Sequence, residues 1–508
     1  MNYMRASNEK EFIQEFGDFQ TPDNLAIQIL GIVKDTGIIP NSIIEPTCGV
    51  GSFLFAANKA FPKIHNILGV DINQNNLNQL KETARQKKLE LKTICADFFK
   101  LNWVDTLKDF EDPVLIIGNP PWVTNSKLGI LESSNLPKKS NFSKQPGLAA
   151  LTGKSNFDIS ESMILDNLKW LRNRTGVIAM LCKTSVARKV ILYAWKHGYK
   201  INNSRIYKID AGKHFGVTVD ACLLLMQCNL GTPNNSCFIY NNLDDSKATK
   251  TIGYLDGEII ADLKTYEKYR HLISSVGSYT WRSGIKHDCS KIMELEKVPG
   301  GYINGSGEKV DIEDIYLYPM YKSSDLGNGE RTCKKYMIVT QKRIGEETRA
   351  IKTNALKTWK YLLRNSVALD KRLSSIYQNK PRFSVFGVGD YTFFPWKVAI
   401  SGFYKKLEFK VVGPIENKPV VFDDTIYFLP CESKIEAEFI AHLLNSQESK
   451  ALLNSIIFWD NKRPITIDIL KRINIQALAN ALGVESKYIS YTKQTNLRSN
   501  ILNSPVKS

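Results

Sequence analysis

Between about residues 25 and 230 the chain alternates short apolar runs with stretches whose apolar residues recur at helical spacing. The runs from Ser42 to Glu45, Asn66 to Ile72, Leu91 to Phe99, Val114 to Gly118, Gly176 to Leu181 and Ala221 to Met226 read as buried strands. Helices are predicted after the first run, through Phe55-Ala56-Ala57, near 74–88, and from about 153 through Trp170. Strand and helix signals in that order predict a mostly parallel sheet with helices on both faces. From Asn229 to Ser236 the pattern breaks in a Gly, Pro and Asn stretch that reads as a linker. Beyond it the chain is less regular, with short strands and turns rich in Tyr, Trp and Lys. The expected division is a domain over residues 1–235, a second over 236–490 and a frayed tail over 491–508.

The ends of the predicted strands carry the chemistry. Val114 to Gly118 stops at Asn119-Pro120-Pro121-Trp122. Pro121 fixes its own φ and holds Pro120 extended, so the Pro120 carbonyl and the Asn119 side-chain oxygen can converge at little entropic cost. Two convergent acceptors take both hydrogens of an amino group, and the adjoining aromatic ring suits a planar base. An exocyclic amine is a poor nucleophile because its lone pair is delocalised, and holding both protons favours the pyramidal form. Methyl transfer to nitrogen is the chemistry this suggests. A Pro-rich turn after a core strand is the plainer alternative.

Upstream, Glu45-Pro46-Thr47-Cys48-Gly49-Val50-Gly51 lies between a strand and a helix. Its glycines allow close backbone approach to a ligand at a helix N-terminus. Position 54 is Leu where a dinucleotide loop would carry a third Gly, and Glu45 would repel a pyrophosphate. A cation such as the amino group or sulfonium of S-adenosylmethionine fits that carboxylate better. The next strand ends on Asp71-Ile72, about twenty residues on, where a ribose diol would be accepted. The third ends on Asp97-Phe98, suited to an adenine amine and its ring. Each acid could equally cap a strand end, whereas their joint order ahead of Asn119 points to a cofactor site. Cys48 reads as a small residue that fits the turn, because the proposed transfer needs no covalent enzyme intermediate.

Charge changes the picture for the partner. The chain has 508 residues, 68 Lys+Arg against 51 Asp+Glu, a net charge of +17 and a pI near 9.2. The excess is about +7 through residue 230 and about +10 beyond, so both parts can attract a polyanion. Nine scattered cysteines without a Cys-x-x-Cys pair, and six histidines, argue against a zinc site or a disulfide frame, so no metal is expected. No secretory leader and no apolar run of membrane-spanning length is present, which predicts a cytoplasmic protein without membrane contact.

These motifs together resemble the gamma-class, TaqI-like DNA adenine-N6 methyltransferases of type II restriction-modification systems. The resemblance includes a Thr-Pro element, here Phe16 to Pro22, ahead of the glycines. It implies an α/β fold, with a Rossmann-like S-adenosylmethionine-dependent methyltransferase domain followed by an α+β target-recognition domain. By the same resemblance Thr21, Glu45, Thr47, Cys48, Gly49 and Gly51 surround the methionine part of the cofactor, Asp71 and Ile72 the ribose, and Asp97 and Phe98 the adenine, with Asn119 and Pro121 bordering both sites. Asn119, Pro120, Pro121 and Trp122 would be catalytic, with Trp122 in place of the commoner Tyr or Phe. Phe215, in His214-Phe215-Gly216-Val217, would be the second ring on a flipped base.

The remaining expectations concern DNA. The Ser-, Asn- and Lys-rich segment from Asn125 to Ser155, with Lys138, Lys139 and Lys144, is expected to order on the duplex. Asn156, Phe157 and Asp158 are either near the cofactor or a helix cap set by Ser155 or Asn156. Trp281, Arg282 and Lys286, then Arg382, then Lys462 and Arg463, combine cations with Gly and aromatics and suit backbone gripping and base reading. Phe383, Phe386 and Tyr391 could as well be core. The expected partner is double-stranded DNA, with the protein a monomer and any cognate restriction endonuclease a separate chain. RNA or protein-glutamine methylation, and a non-catalytic recognition subunit, are the alternatives.

Overall fold

The computed structural model describes residues 20–64, 66–123, 158–273, 279–328 and 333–492. Contacts divide the chain into two compact units, Met1–Lys264 and Thr265–Ser508.

The first unit is built on a ten-stranded sheet. In chain order its elements are α1 (Asp23–Lys34), β1 (Ser42–Glu45), α2 (Ser52–Ala60), β2 (Asn66–Asp71), α3 (Gln74–Gln86), β3 (Lys92–Cys95), α4 (Trp103–Leu107) and β4 (Val114–Gly118). Then come α5 (Ile159–Trp170), β5 (Gly176–Lys183), α6 (Thr184–Lys196), β6 (Ile201–Asp210), α7 (Ala211–Phe215), β7 (Asp220–Cys228), β8 (Ser236–Tyr240), β9 (Lys250–Leu255) and β10 (Glu258–Ile260). The spatial order is β10-β9-β8-β6-β7-β5-β4-β1-β2-β3. Strands β3, β2, β1, β4 and β5 run parallel, while β7 is antiparallel to both β5 and β6. The order reverses between β1 and β4, so the chain opens a crevice at their carboxyl ends, where α/β sheets place ligands. Val114, Leu115, Ile116 and Ile117 are each at most 1% exposed, and burying such side chains is worth about 1.5–3 kcal/mol apiece.

This unit runs past the expected boundary at 235. β8 pairs in parallel with β6 and is followed by β9 and β10, so residues 236–260 extend the sheet rather than open a new domain. β6 itself was not anticipated: it opens Ile201-Asn202-Asn203-Ser204-Arg205, one apolar residue followed by four polar ones, and is bulged between Asn202 and Arg205.

The second unit holds two sheets. One has the order β14 (Lys309–Val310), β13 (Gly301–Asn304), β12 (Glu294–Val298), β16 (Lys335–Ile338), β15 (Leu317–Tyr321) and β19 (Val421–Phe422). The other has β11 (Arg282–Ser283), β20 (Ile426–Cys431), β17 (Trp396–Ser401) and β18 (Lys410–Val412). The helix Leu356–Arg364 falls between β16 and β17 in sequence, and Lys434–Leu444 and Gln447–Ile456 follow β20.

Candidate active site

The glycine turn after β1 requires its glycines. Gly49 has φ +49°, and a Cβ there would lie 2.6 Å from the Gln20 side-chain oxygen; Gly51 has φ +90°, and a Cβ would meet Leu80 at 2.3 Å. Gln20 also accepts from the Val50 N–H at 3.4 Å, which lays the Thr-Pro element, with Thr21 buried, against the turn. Asp71, at the end of β2, fixes the turn from the other side. Its Oδ2 accepts from Gly49 N–H and its Oδ1 from Asn73 N–H, both at 2.8 Å. Each oxygen retains a further lone pair for a hydroxyl. Ile72, beside it, is 53% exposed.

Glu45 ends β1 at 3% exposure. Burial, and then the negative charge of Asp71, push its carboxyl well above the usual carboxylate range, while the Leu54 amide works the other way. Its Oε2 and the Thr47 hydroxyl are buried without a hydrogen-bond partner among the described residues. Leaving such atoms unpaired costs about 1–3 kcal/mol each, so both are suited to a polar, cationic ligand. Burial likewise pushes the Cys48 thiol far up, with Glu45 and Asp71 adding to it, so Cys48 is no nucleophile.

Asp97 accepts from Phe99 N–H at 2.9 Å and has the Lys100 ammonium 3.2 Å from its Oδ2. Phe98 is buried in an aromatic cluster, 5.2 Å from Trp103 and 5.7 Å from Trp170 between centroids, and its carbonyl accepts from the Trp103 indole. Phe98 is therefore held in place by rings from α4 and α5.

β4 delivers Asn119 next to Glu45: a Cβ on Gly118 would sit 3.5 Å from Glu45 Cγ. Pro120 is buried and Pro121 half-buried. Trp122 is 6% exposed, and its ring meets Phe215 edge-on at 5.2 Å and 77°. The pair, 93 positions apart in sequence, is joined because α7 follows β6 and packs on the same core. Such contacts add about 0.5–1.5 kcal/mol beyond burial.

Sequence reasoning missed Lys183. At the end of β5, its ammonium donates to the Trp122 carbonyl at 2.9 Å and to Asp158 Oδ2 at 2.6 Å. Asp158, not Ser155 or Asn156, caps α5, accepting from Ser160 N–H at 3.1 Å. Ile159 N–H donates to the Val123 carbonyl at 2.9 Å, so the chain just after the Asn-Pro-Pro-Trp motif is tied to the start of α5. No local signal marks Lys183, since only the β4–β5 pairing brings it to Trp122. Buried Glu161, paired with Lys189 at 2.7 Å, was also unforeseen.

The DNA-contact expectations fare unevenly. Trp281 is a correction: at 3% exposure, with its ring 5.8 Å from Phe409, it packs the second unit's interior and cannot reach DNA. Phe383 is fully buried as well. Arg382 forks onto Asp370 at 2.7 Å, Lys286 lies 3.6 Å from Asp288, and Arg282 covers the Tyr391 ring at 4.5 Å. Arg463 lies over Phe403 at 4.7 Å, and Lys462 is exposed. Lys138, Lys139, Lys144, Asn156 and Phe157 fall outside the described residues. Among the described residues no group of His, Cys, Asp and Glu could hold a metal ion, and no helix is long and apolar enough to cross a membrane.

No family model matches the chain. It is 45% identical to type II methyltransferase M.NspV of Nostoc sp. over 472 residues, which is 92% of this chain and 98% of that one. The chain belongs to the type II methyltransferases. Type II methyltransferase M.VspI of Vibrio sp. is 27% identical over 61% of this chain and 70% of its own. The type IIL restriction-modification enzyme MmeI, solved in complex with DNA, superposes with a TM-score of 0.51 at 12% identity. That match covers 87% of this methyltransferase and 63% of MmeI, and it speaks to the shared fold. As a restriction-modification methyltransferase the protein uses S-adenosylmethionine, and the buried, unpartnered Glu45 Oε2 and Thr47 hydroxyl are suited to a polar, cationic group. RNA or protein-glutamine methylation and a purely recognising subunit are not favoured by this membership.

Proposed function

We propose that this DNA methyltransferase modifies N6 of adenine in a short duplex sequence, after the base has turned out of the helix. What supports the reading most is the Asn119-Pro120-Pro121-Trp122 ledge, set at the end of β4 between buried Glu45 and the Phe215 ring. Asn119 Oδ1 and the Pro120 carbonyl accept the two N6 hydrogens, which frees the nitrogen lone pair. Trp122 and Phe215 form the wall against the base. Lys183 holds the Trp122 carbonyl and so sets the pitch of the ledge. Glu45, Thr21, Thr47, Cys48, Gly49 and Gly51 hold the amino acid end of the cofactor, Asp71 and Ile72 its ribose, Asp97 and Phe98 its adenine. Bound S-adenosylmethionine supplies a methyl group made electrophilic by its sulfonium. The enzyme works as a monomer whose second unit recognises the target. Its product protects host DNA from a cognate endonuclease on a separate chain.

The test is mass spectrometry of nucleosides from duplex DNA incubated with enzyme and methyl-labelled cofactor. Label in N6-methyldeoxyadenosine is the expected result; label only on cytosine, or none on DNA, overturns the reading.

A further inference from the structure

The loop from β17 to β18 is pinned at both ends. Ser401 Oγ accepts from the N–H groups of Phe403 and Tyr404, both at 3.2 Å, and Gly402 N–H donates to the Thr425 carbonyl at 2.9 Å. At the far end Asn445 accepts from Phe409 N–H at 3.1 Å and donates to its carbonyl at 2.7 Å. Between these anchors Lys405 and Lys406 stand in solvent. Facing them, the helix Gln447–Ile456 supplies Lys450 and Asn454, and Trp459 follows, its indole donating to Asn454 Oδ1 at 3.0 Å. Together they line an open recess of about 740 Å³.

The charge of this recess is available. Among the described residues Lys405, Lys406 and Lys450 pair with no carboxylate, whereas Arg382, Arg343, Lys357 and Lys434 are each bridged to one. The one acid in the recess, Glu408, lies 3.8 Å from the Lys410 ammonium, which offsets it. Phe403 and Tyr404, 38% and 36% exposed, lie on the same loop.

We infer that this recess docks the sugar-phosphate backbone of duplex DNA. The inference rests on the DNA-acting reading above and adds a place for the contact. Lysines select phosphate over base edges: each is a flexible point charge, whereas base reading favours the planar fork of Arg. A rigid loop carrying them lowers the ordering cost of binding. Contacts of this kind are independent of sequence and release counterions, about 0.9 per phosphate neutralised.

The experiment is fluorescence anisotropy of the full-length protein with a labelled duplex of mixed sequence, across a salt series. The triple variant K405A/K406A/K450A should bind about tenfold or more weakly at moderate salt, with the slope of log affinity against log salt shallower by about 2–3. The triple K405R/K406R/K450R should bind as the parent does. Cofactor binding, read separately, should be unchanged in both. A parental slope in the alanine variant, or equal loss in the arginine variant, overturns this inference while leaving the methylation reading intact. If the parent protein binds no duplex at all, the underlying reading fails with it.

Discussion

In the first unit the candidate chemistry sits on side chains that are already buried at the ends of parallel strands; in the second, the candidate DNA-contacting groups are surface cations, many held by neighbouring acids. Glu45 at 3% exposure and Trp122 at 6% owe their positions to strand pairing, and little can move them. Arg382 and Lys286 owe theirs to local partners, Asp370 and Asp288. Sheet topology thus fixes a catalytic site closely, whereas a binding surface depends on which charges remain unpaired. Burial also pushes the Glu45 carboxyl well above the usual carboxylate range.

The contrast is broken most sharply at Asn119. Asn119→Ala should lower kcat by about a thousandfold, comparable to removing one group that acts mainly in the transition state. Cofactor affinity, read by calorimetry, should persist; its total loss would move Asn119 into the cofactor site alone.

Glu45→Gln comes next. A carboxyl held above its usual range must ionise to pair with the cofactor's amino group, so affinity should rise with pH and fall as pH drops through the raised value. The variant should bind about tenfold more weakly at high pH and lose this dependence. A parental pH profile in Glu45→Gln would show that another group titrates.

Lys183→Met should lower kcat about tenfold with little change in KM for the cofactor, since Lys183 acts through the Trp122 carbonyl. Thermal stability should fall as well, because Asp158 is left buried without its counter-charge. Lys183→Arg should restore part of the activity; a loss confined to stability would make the residue merely structural.

The smallest effect is expected at Arg382. Its bridge to Asp370 is half-exposed, so Arg382→Ala should change DNA affinity less than about twofold and stability by under about 1 kcal/mol. A loss as large as that in the Lys405, Lys406 and Lys450 variant would erase the distinction between paired and unpaired cations.

Much of the first unit was legible because its strands are apolar runs that end on distinctive residues. β4 begins and ends where its pattern does, and β1 and β2 differ from it by a residue at most. β6 and the β8–β10 extension were not, because half-polar strands lack such runs and the Gly-Thr-Pro turn at 231–233 mimics a domain linker. At the site, Asn119 and Glu45 could be placed from strand ends, and Phe215 only through the resemblance. Lys183, and its ion pair with Asp158, became visible only through pairing across strands. In the second unit Trp281 was misread because an aromatic beside an Arg has the same sequence signature whether it faces inward or outward.

The central claim, that the ledge beginning at Asn119 drives methyl transfer to adenine in a defined duplex sequence, is tested most directly by modification-sensitive sequencing of DNA from a host expressing the protein. N6-methyladenine at one short motif, present with the parent chain and absent with Asn119→Ala, is the predicted result. Genomic adenine left unmodified by the active, cofactor-binding protein would contradict it.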